Sequence, residues 1–183
     1  VLMNQFSAPL TDDTLPDMFG NAGYQTHLCG KLHLFPLRKL YGFHSSDWAD
    51  SASGYGVESD YMRYLKENGF FCDAGLGHGM SNNGWAARPW HLEDRFHFTD
   101  WCTQRALRFL ERRDPTLPFF LNLSYYQPHA PCTPPAYYFN KYLSRALPSC
   151  PVGDWVCTLP NSQQGEPVDA WRVARDTGHS REY

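Results

Sequence analysis

The hydrophobic and polar positions of this chain switch between helical and strand-like periods, and the switches outline its elements. Residues 11–23 begin with Thr11 or Asp12 as a cap, carry Leu15, Met18 and Phe19 on one helical face, and end at Gly23. Residues 24–29 read as a short strand of aromatic, β-branched and apolar residues, closed by Gly30. Residues 35–56 have little periodicity and predict a long loop, a kind of segment that in compact domains is often functional. Residues 57–68 predict an amphipathic helix with Tyr61, Tyr64 and Leu65 inward, stopped by Gly69. The stretch 70–89, rich in Gly, Asn and Ser, is a second loop that either lines a pocket or covers a surface.

The clearest helix is 98–113, where Trp101, Cys102, Arg105 and Leu110 recur at helical spacing and Asp114-Pro115 ends the run. Thr99 is its expected cap, with His97 just ahead at the positive end. Pro118 then opens 119–126, which reads as a buried strand. A helix turning straight into a strand predicts an α/β fold. Residues 147–167 are loop-like, and 170–183 begin a helical pattern that breaks off.

Chemistry concentrates where the two strands end. Lys31 and His33 follow Gly30 directly, on the edge of an open α/β sheet where ligands bind. Two apart on an extended segment, they project to one side, as a fixed charge and a titratable donor suited to an anionic ester. The plainer alternative is a solvated lysine beside a packed histidine. Gln127-Pro128-His129-Ala130-Pro131 leaves the second strand in the same sense, with prolines fixing the backbone around His129. Two strands thus each deliver a histidine to one edge.

Composition narrows the partners. At 183 residues, 42% hydrophobic and 16% aromatic, the chain is long enough for a packed core. A net charge of −3 offers no general nucleic-acid surface, so any anion must be held by a local cluster. No apolar run approaches the ~20 residues of a membrane span. Six cysteines without C-x-x-C spacing argue against zinc and for reduced thiols, which tilts the expected location towards the cytoplasm. Cys150–Cys157 is the one disulfide left open.

The string Ala22-Gly23-Tyr24 to Gly30-Lys31-Leu32-His33-Leu34, together with Pro118-Phe119-Phe120-Leu121 and Pro128-His129-Ala130-Pro131, resembles the sulfatases of the alkaline-phosphatase-like superfamily. The resemblance covers residues 11–142 well and 143–183 loosely. It implies an α/β sandwich with a mixed, mostly parallel central sheet flanked by helices. It also implies that Lys31 and His33 contact the sulfate and the nucleophile, and that His129 binds sulfate or assists the leaving group. His97 aligns with an active-site histidine of the choline-sulfatase and phosphonate-monoester-hydrolase branch, with helix capping or a surface position as its alternative roles.

Enzymes of this family hydrolyse small sulfate esters with a formylglycine made from cysteine in a C-x-P-S-R context, and with calcium held by acidic pairs. Neither context is present in the 183 residues. Cys132-Thr133-Pro134-Pro135-Ala136 has Ala where Arg belongs and follows the P-H-x-P element, while Asp12-Asp13 opens a helix. The expectation is therefore an incomplete catalytic domain, inactive alone, that supplies Lys31, His33, His129 and His97 to a site completed elsewhere. Its oligomeric state is not written in the sequence. A phosphonate or phosphate ester hydrolase on the same scaffold, and a non-catalytic truncated paralogue binding an anion or partner, are the rival readings.

Overall fold

The computed structural model describes residues 14–50, 57–71, 87–130 and 132–148. Thr11, Asp12-Asp13, most of the 70–89 loop, Cys150, Cys157 and the tail from 149 lie outside them. The chain divides into two compact units, Val1–Gly77 with Leu92–Gln127 and His78–His91 with Pro128–Tyr183.

The first unit is built on a parallel sheet. Strand β1 (Gln25–Gly30) lies between β2 (Ser45–Trp48) and β3 (Phe119–Ser124). β2 falls inside the segment expected to be a loop. Its sequence, Ser-Ser-Asp-Trp, has no strand signature, so pairing with β1 overrides local preference. β3 is only half-buried, contrary to expectation, because among the described residues it has a strand neighbour on one side alone. Leu28, Phe43 and Trp48 form the core beside the sheet, with Leu32, Leu37, Val57 and Phe120 against them.

Among the described residues, three α-helices flank this sheet. α1 (Leu15–Asn21) is capped by Thr14 rather than by Thr11 or Asp12. Thr14 Oγ1 accepts from the Asp17 N–H while the Asp17 carboxylate accepts from the Thr14 N–H, a reciprocal pair that satisfies two orphan donors. Only Phe19 of its expected apolar face packs, stacking on Phe120 at 4.5 Å, while Leu15 and Met18 are exposed. α2 (Asp60–Glu67) is capped by Ser59 and buries Tyr61 and Leu65, with Tyr64 half-covered. The Asp60 carboxylate accepts from the Trp48 N–H at 2.8 Å and so ties α2 to the end of β2.

α3 (Phe98–Arg112) presses Trp101, Cys102 and Ala106 inward. Gly30 lies beneath it with φ +97°, and a Cβ there would stand 2.1 Å from the Ser124 carbonyl oxygen. Only glycine fits that approach. In the second unit, Ala87 and Cys132 form a parallel bridge, and α4 (Ala136–Leu143) starts after Pro135 with Tyr137, Tyr138 and Tyr142 exposed. No helix among the described residues is long and apolar enough to cross a membrane.

Candidate active site

The register of the sheet decides what meets at its C-terminal edge. Gly30 pairs with both Trp48 and Ser124, so three strands end level with one another. The ladder runs one step further on each side: the Lys31 N–H donates to the Ser124 carbonyl and the Ala49 N–H to the Gly30 carbonyl, both at 3.0 Å. Lys31, Asp50 and Tyr125-Tyr126 therefore leave the sheet side by side.

Lys31 Nζ stands 4.8 Å from the centre of the Tyr126 ring. A phenol face attracts an ammonium through its quadrupole without cancelling the charge, so the lysine is steered yet remains a full cation. The platform is itself fixed by aromatic packing. Tyr126 meets Phe98 edge-on at 6.1 Å, and Phe98 meets Tyr61 at 5.2 Å.

His33 departs from the extended geometry expected of it. Its φ is +56°, in the left-handed region that a side chain with Cβ enters at a cost of about 1–2 kcal/mol. That bend turns Nδ1 onto Asp50, 3.1 Å from Oδ1. The carboxylate is buried, 3% exposed, while the His33 ring is 38% exposed. A carboxylate only accepts, so the ring proton of neutral His33 sits on Nδ1 and Nε2 is its basic nitrogen.

His129 belongs to the second unit and is exposed. Its Nδ1 lies 2.7 Å from the Ala130 carbonyl oxygen, again an obligate acceptor. His129 therefore holds its proton as His33 does, with Nε2 the basic nitrogen. His97 has the opposite arrangement. It is the true cap of α3, in place of Thr99: its Nδ1 accepts from the Thr99 N–H at 3.2 Å, so the neutral ring is protonated on Nε2. His97 is buried. Thr99 instead donates through Oγ1 to the Gln127 side chain at 3.2 Å, fastening the start of α3 to the segment leaving β3.

The thiols have structural places. Cys29 and Cys102 are fully buried, and the Cys29 thiol donates to the Cys102 carbonyl at 3.1 Å. Hydrogen bonding to Cys29 first, and burial second, push the Cys102 thiol far above its ordinary range, which leaves it inert. Cys132 is exposed. No group of three His, Cys, Asp or Glu side chains among the described residues could hold a metal ion.

Asp50 and Tyr126 are the two residues that reasoning from sequence missed. Both touch the site only because of strand register, and β2, which delivers Asp50, had no signature of its own.

A family model described as sulfatase matches residues 2–149. An arylsulfatase from Clostridium perfringens is 33% identical over 171 residues, covering 86% of this chain and 35% of that protein. Arylsulfatase J of Mus musculus is 32% identical over 145 residues, covering 74% of this chain and 22% of the mouse protein. A Trinickia caryophylli protein named multifunctional alkaline phosphatase superfamily protein PehA is 34% identical over 95 residues, covering 49% and 18%. The chain thus spans 35% or less of the length of each of these relatives. A match over residues 2–149, on a parallel α/β sheet, makes this chain a member of the sulfatase family, with its alkaline-phosphatase-like fold.

Proposed function

We propose that this chain supplies the anion-binding and proton-transfer side chains of a site that hydrolyses small sulfate esters. The observation that carries the reading is that a Lys31 ammonium steered by Tyr126 and a His33 ring held on Asp50 both follow β1 at the level edge of three parallel strands. Lys31 offsets charge on the sulfate oxygens. His33 Nε2 takes a proton at the attacking group, and the family resemblance gives His129, in the second unit, the role of proton donor to the leaving oxygen. His97, buried and with its Nδ1 taken by the Thr99 N–H, contributes through the cap that fixes the start of α3.

The family generally relies on calcium and formylglycine, and the described residues fit neither. They hold no metal-ligand cluster, two of their thiols are buried, and Cys132 lacks the C-x-P-S-R context. The 183-residue chain is therefore expected to turn over no aryl sulfate by itself, and measurable metal-dependent turnover would refute that.

A second reading, transfer of phosphoryl or phosphonyl groups, draws on the relative named for the alkaline phosphatase superfamily. The same cation and histidines serve a phosphate.

Binding separates these readings from a chain with no site at all. Titration with inorganic sulfate, followed by NMR, is expected to shift Lys31, His33 and His129. Lys31→Ala should weaken binding more than His33→Ala, since a unit charge at about 4 Å near a surface contributes up to about 4 kcal/mol and a neutral hydrogen bond about 1 kcal/mol. Tighter binding of phosphate than of sulfate favours the second reading. No shift at any of the three with either anion overturns both.

A further inference from the structure

We infer that Asp50 is the positioning residue of His33, fixing both the tautomer and the direction of its ring. The role for His33 in ester hydrolysis rests on the reading above, but the pairing itself does not. Three observations carry it. First, the two segments are brought together by the sheet: the Ala49 N–H donates to the Gly30 carbonyl, so the chain leaving β2 runs beside the chain leaving β1. Second, the pair is asymmetric, with Asp50 at 3% exposure and His33 at 38%. A charged carboxylate at that depth is retained where it has a partner to hold. Third, the backbone at His33 occupies φ +56°, and the side chain it presents there makes the contact with Asp50. Strain of this kind persists only where surrounding contacts over-determine it.

The consequence is chemical. With Nδ1–H committed to Asp50 Oδ1 at 3.1 Å, the ring edge facing outward is the one bearing Nε2. A histidine that must accept a proton at one nitrogen needs the other nitrogen occupied and the ring held still. Asp50 does both without touching substrate. Loss of Asp50 therefore leaves His33 present but free to rotate and to place its proton on Nε2, where it cannot act as a base.

The test reads the tautomer directly. Long-range 15N–1H NMR of the imidazoles is recorded on the 183-residue chain at pH about 8, above the ordinary imidazole range. Wild-type His33 is expected as the Nδ1–H form, whereas an imidazole free in water favours Nε2–H. Asp50→Ala should reduce the Nδ1–H share at His33 from nearly all to a minority, with His129 unchanged as the internal control. Wild-type His33 in the Nε2–H form overturns the inference, even if Asp50→Ala fails to fold. So does a folded Asp50→Ala chain whose His33 keeps Nδ1–H. Sulfate titration of the same wild-type sample separates the two ideas. A His33 that is Nδ1–H yet silent to sulfate sinks the catalytic reading and leaves the positioning pair standing.

Discussion

His27 lies within β1 and His33 just beyond its end, and each meets an aspartate from the stretch that follows His44. His27 is 5% exposed, flat against Phe109 at 4.6 Å. Its Nδ1 is 2.8 Å from Ser45 Oγ, and its Nε2 faces Asp47 Oδ2 at 3.3 Å without the alignment of a hydrogen bond. Serine, histidine and aspartate thus gather there as they do in hydrolytic triads. Yet the ring is sealed beneath α3, and the serine sits on Nδ1. No substrate reaches the basic nitrogen, so the group is packing with polar edges. His33, beyond the last ladder bond, keeps an exposed ring on a buried carboxylate. Proximity of His to Asp therefore identifies nothing by itself. What separates a working pair from a packed one is which nitrogen the carboxylate occupies and whether the other meets solvent at a strand's C-terminal end.

Gly30 is the hinge between the two cases, and breaking it should have the largest effect. Gly30→Ala sets a Cβ 2.1 Å from the Ser124 carbonyl and 3.0 Å from Cys102 Sγ, at a φ of +97°. Backbone cannot yield as a side chain does, so a loss of at least about 3 kcal/mol in urea unfolding is expected. A loss under about 1 kcal/mol would mean that the edge is looser than the register implies. His27→Ala comes next. Removing a buried stacked ring should cost about 2–3 kcal/mol and leave sulfate binding at Lys31 intact. If sulfate binding disappears while the chain stays folded, His27 is not mere packing and the contrast with His33 fails.

The difference between the pairs explains what could be read beforehand. Hydrophobic period placed β1, α2, α3 and β3 to within a few residues, because each carries apolar side chains that burial must satisfy. Gly30 and the prolines punctuate the strand ends that Lys31 and His129 follow, and the roles proposed for them come from the family resemblance. β2 was not legible, since Ser45, Ser46 and Asp47 carry no apolar pattern and the strand exists through pairing with β1. Asp50 was lost with it. The cap of α1 was misassigned, and at α3 Thr99 was expected while His97, weighed as an alternative, does the capping, because cap choice turns on which oxygen or nitrogen reaches an orphan N–H. The extended geometry expected of Lys31 to His33 failed at His33 alone, where contact with Asp50 outweighs backbone preference.

That strain allows a smaller and more discriminating test. His33→Gly removes the side chain and the penalty of a left-handed backbone together. Relief of strain and the greater freedom of unfolded glycine oppose each other, so stability should stay within about 1 kcal/mol of wild type. Sulfate binding should nevertheless fall. A large loss of stability instead would place His33 in the same class as His27.

The smallest effect belongs to a third carboxylate, which serves as a control because among the described residues no histidine meets it. Asp114, in the turn between α3 and β3, accepts from Thr116 through both Oγ1 at 2.6 Å and the backbone N–H at 2.8 Å. Those bonds, the side-chain one foremost, hold its carboxyl below the ordinary aspartate range. The folded chain then binds its proton less readily than the unfolded chain. The stability this contributes is present above pH about 4 and is lost as pH falls through the folded value. Thr116→Ala should therefore lower stability slightly above pH about 4, neutral pH included, with the difference from wild type vanishing as pH falls through the folded value. The carboxyl is fully exposed, so added salt should shrink even that difference. A larger change for Thr116→Ala than for His27→Ala would mean that burial is not what ranks these polar contacts, and the contrast between the two histidine pairs would lose its basis.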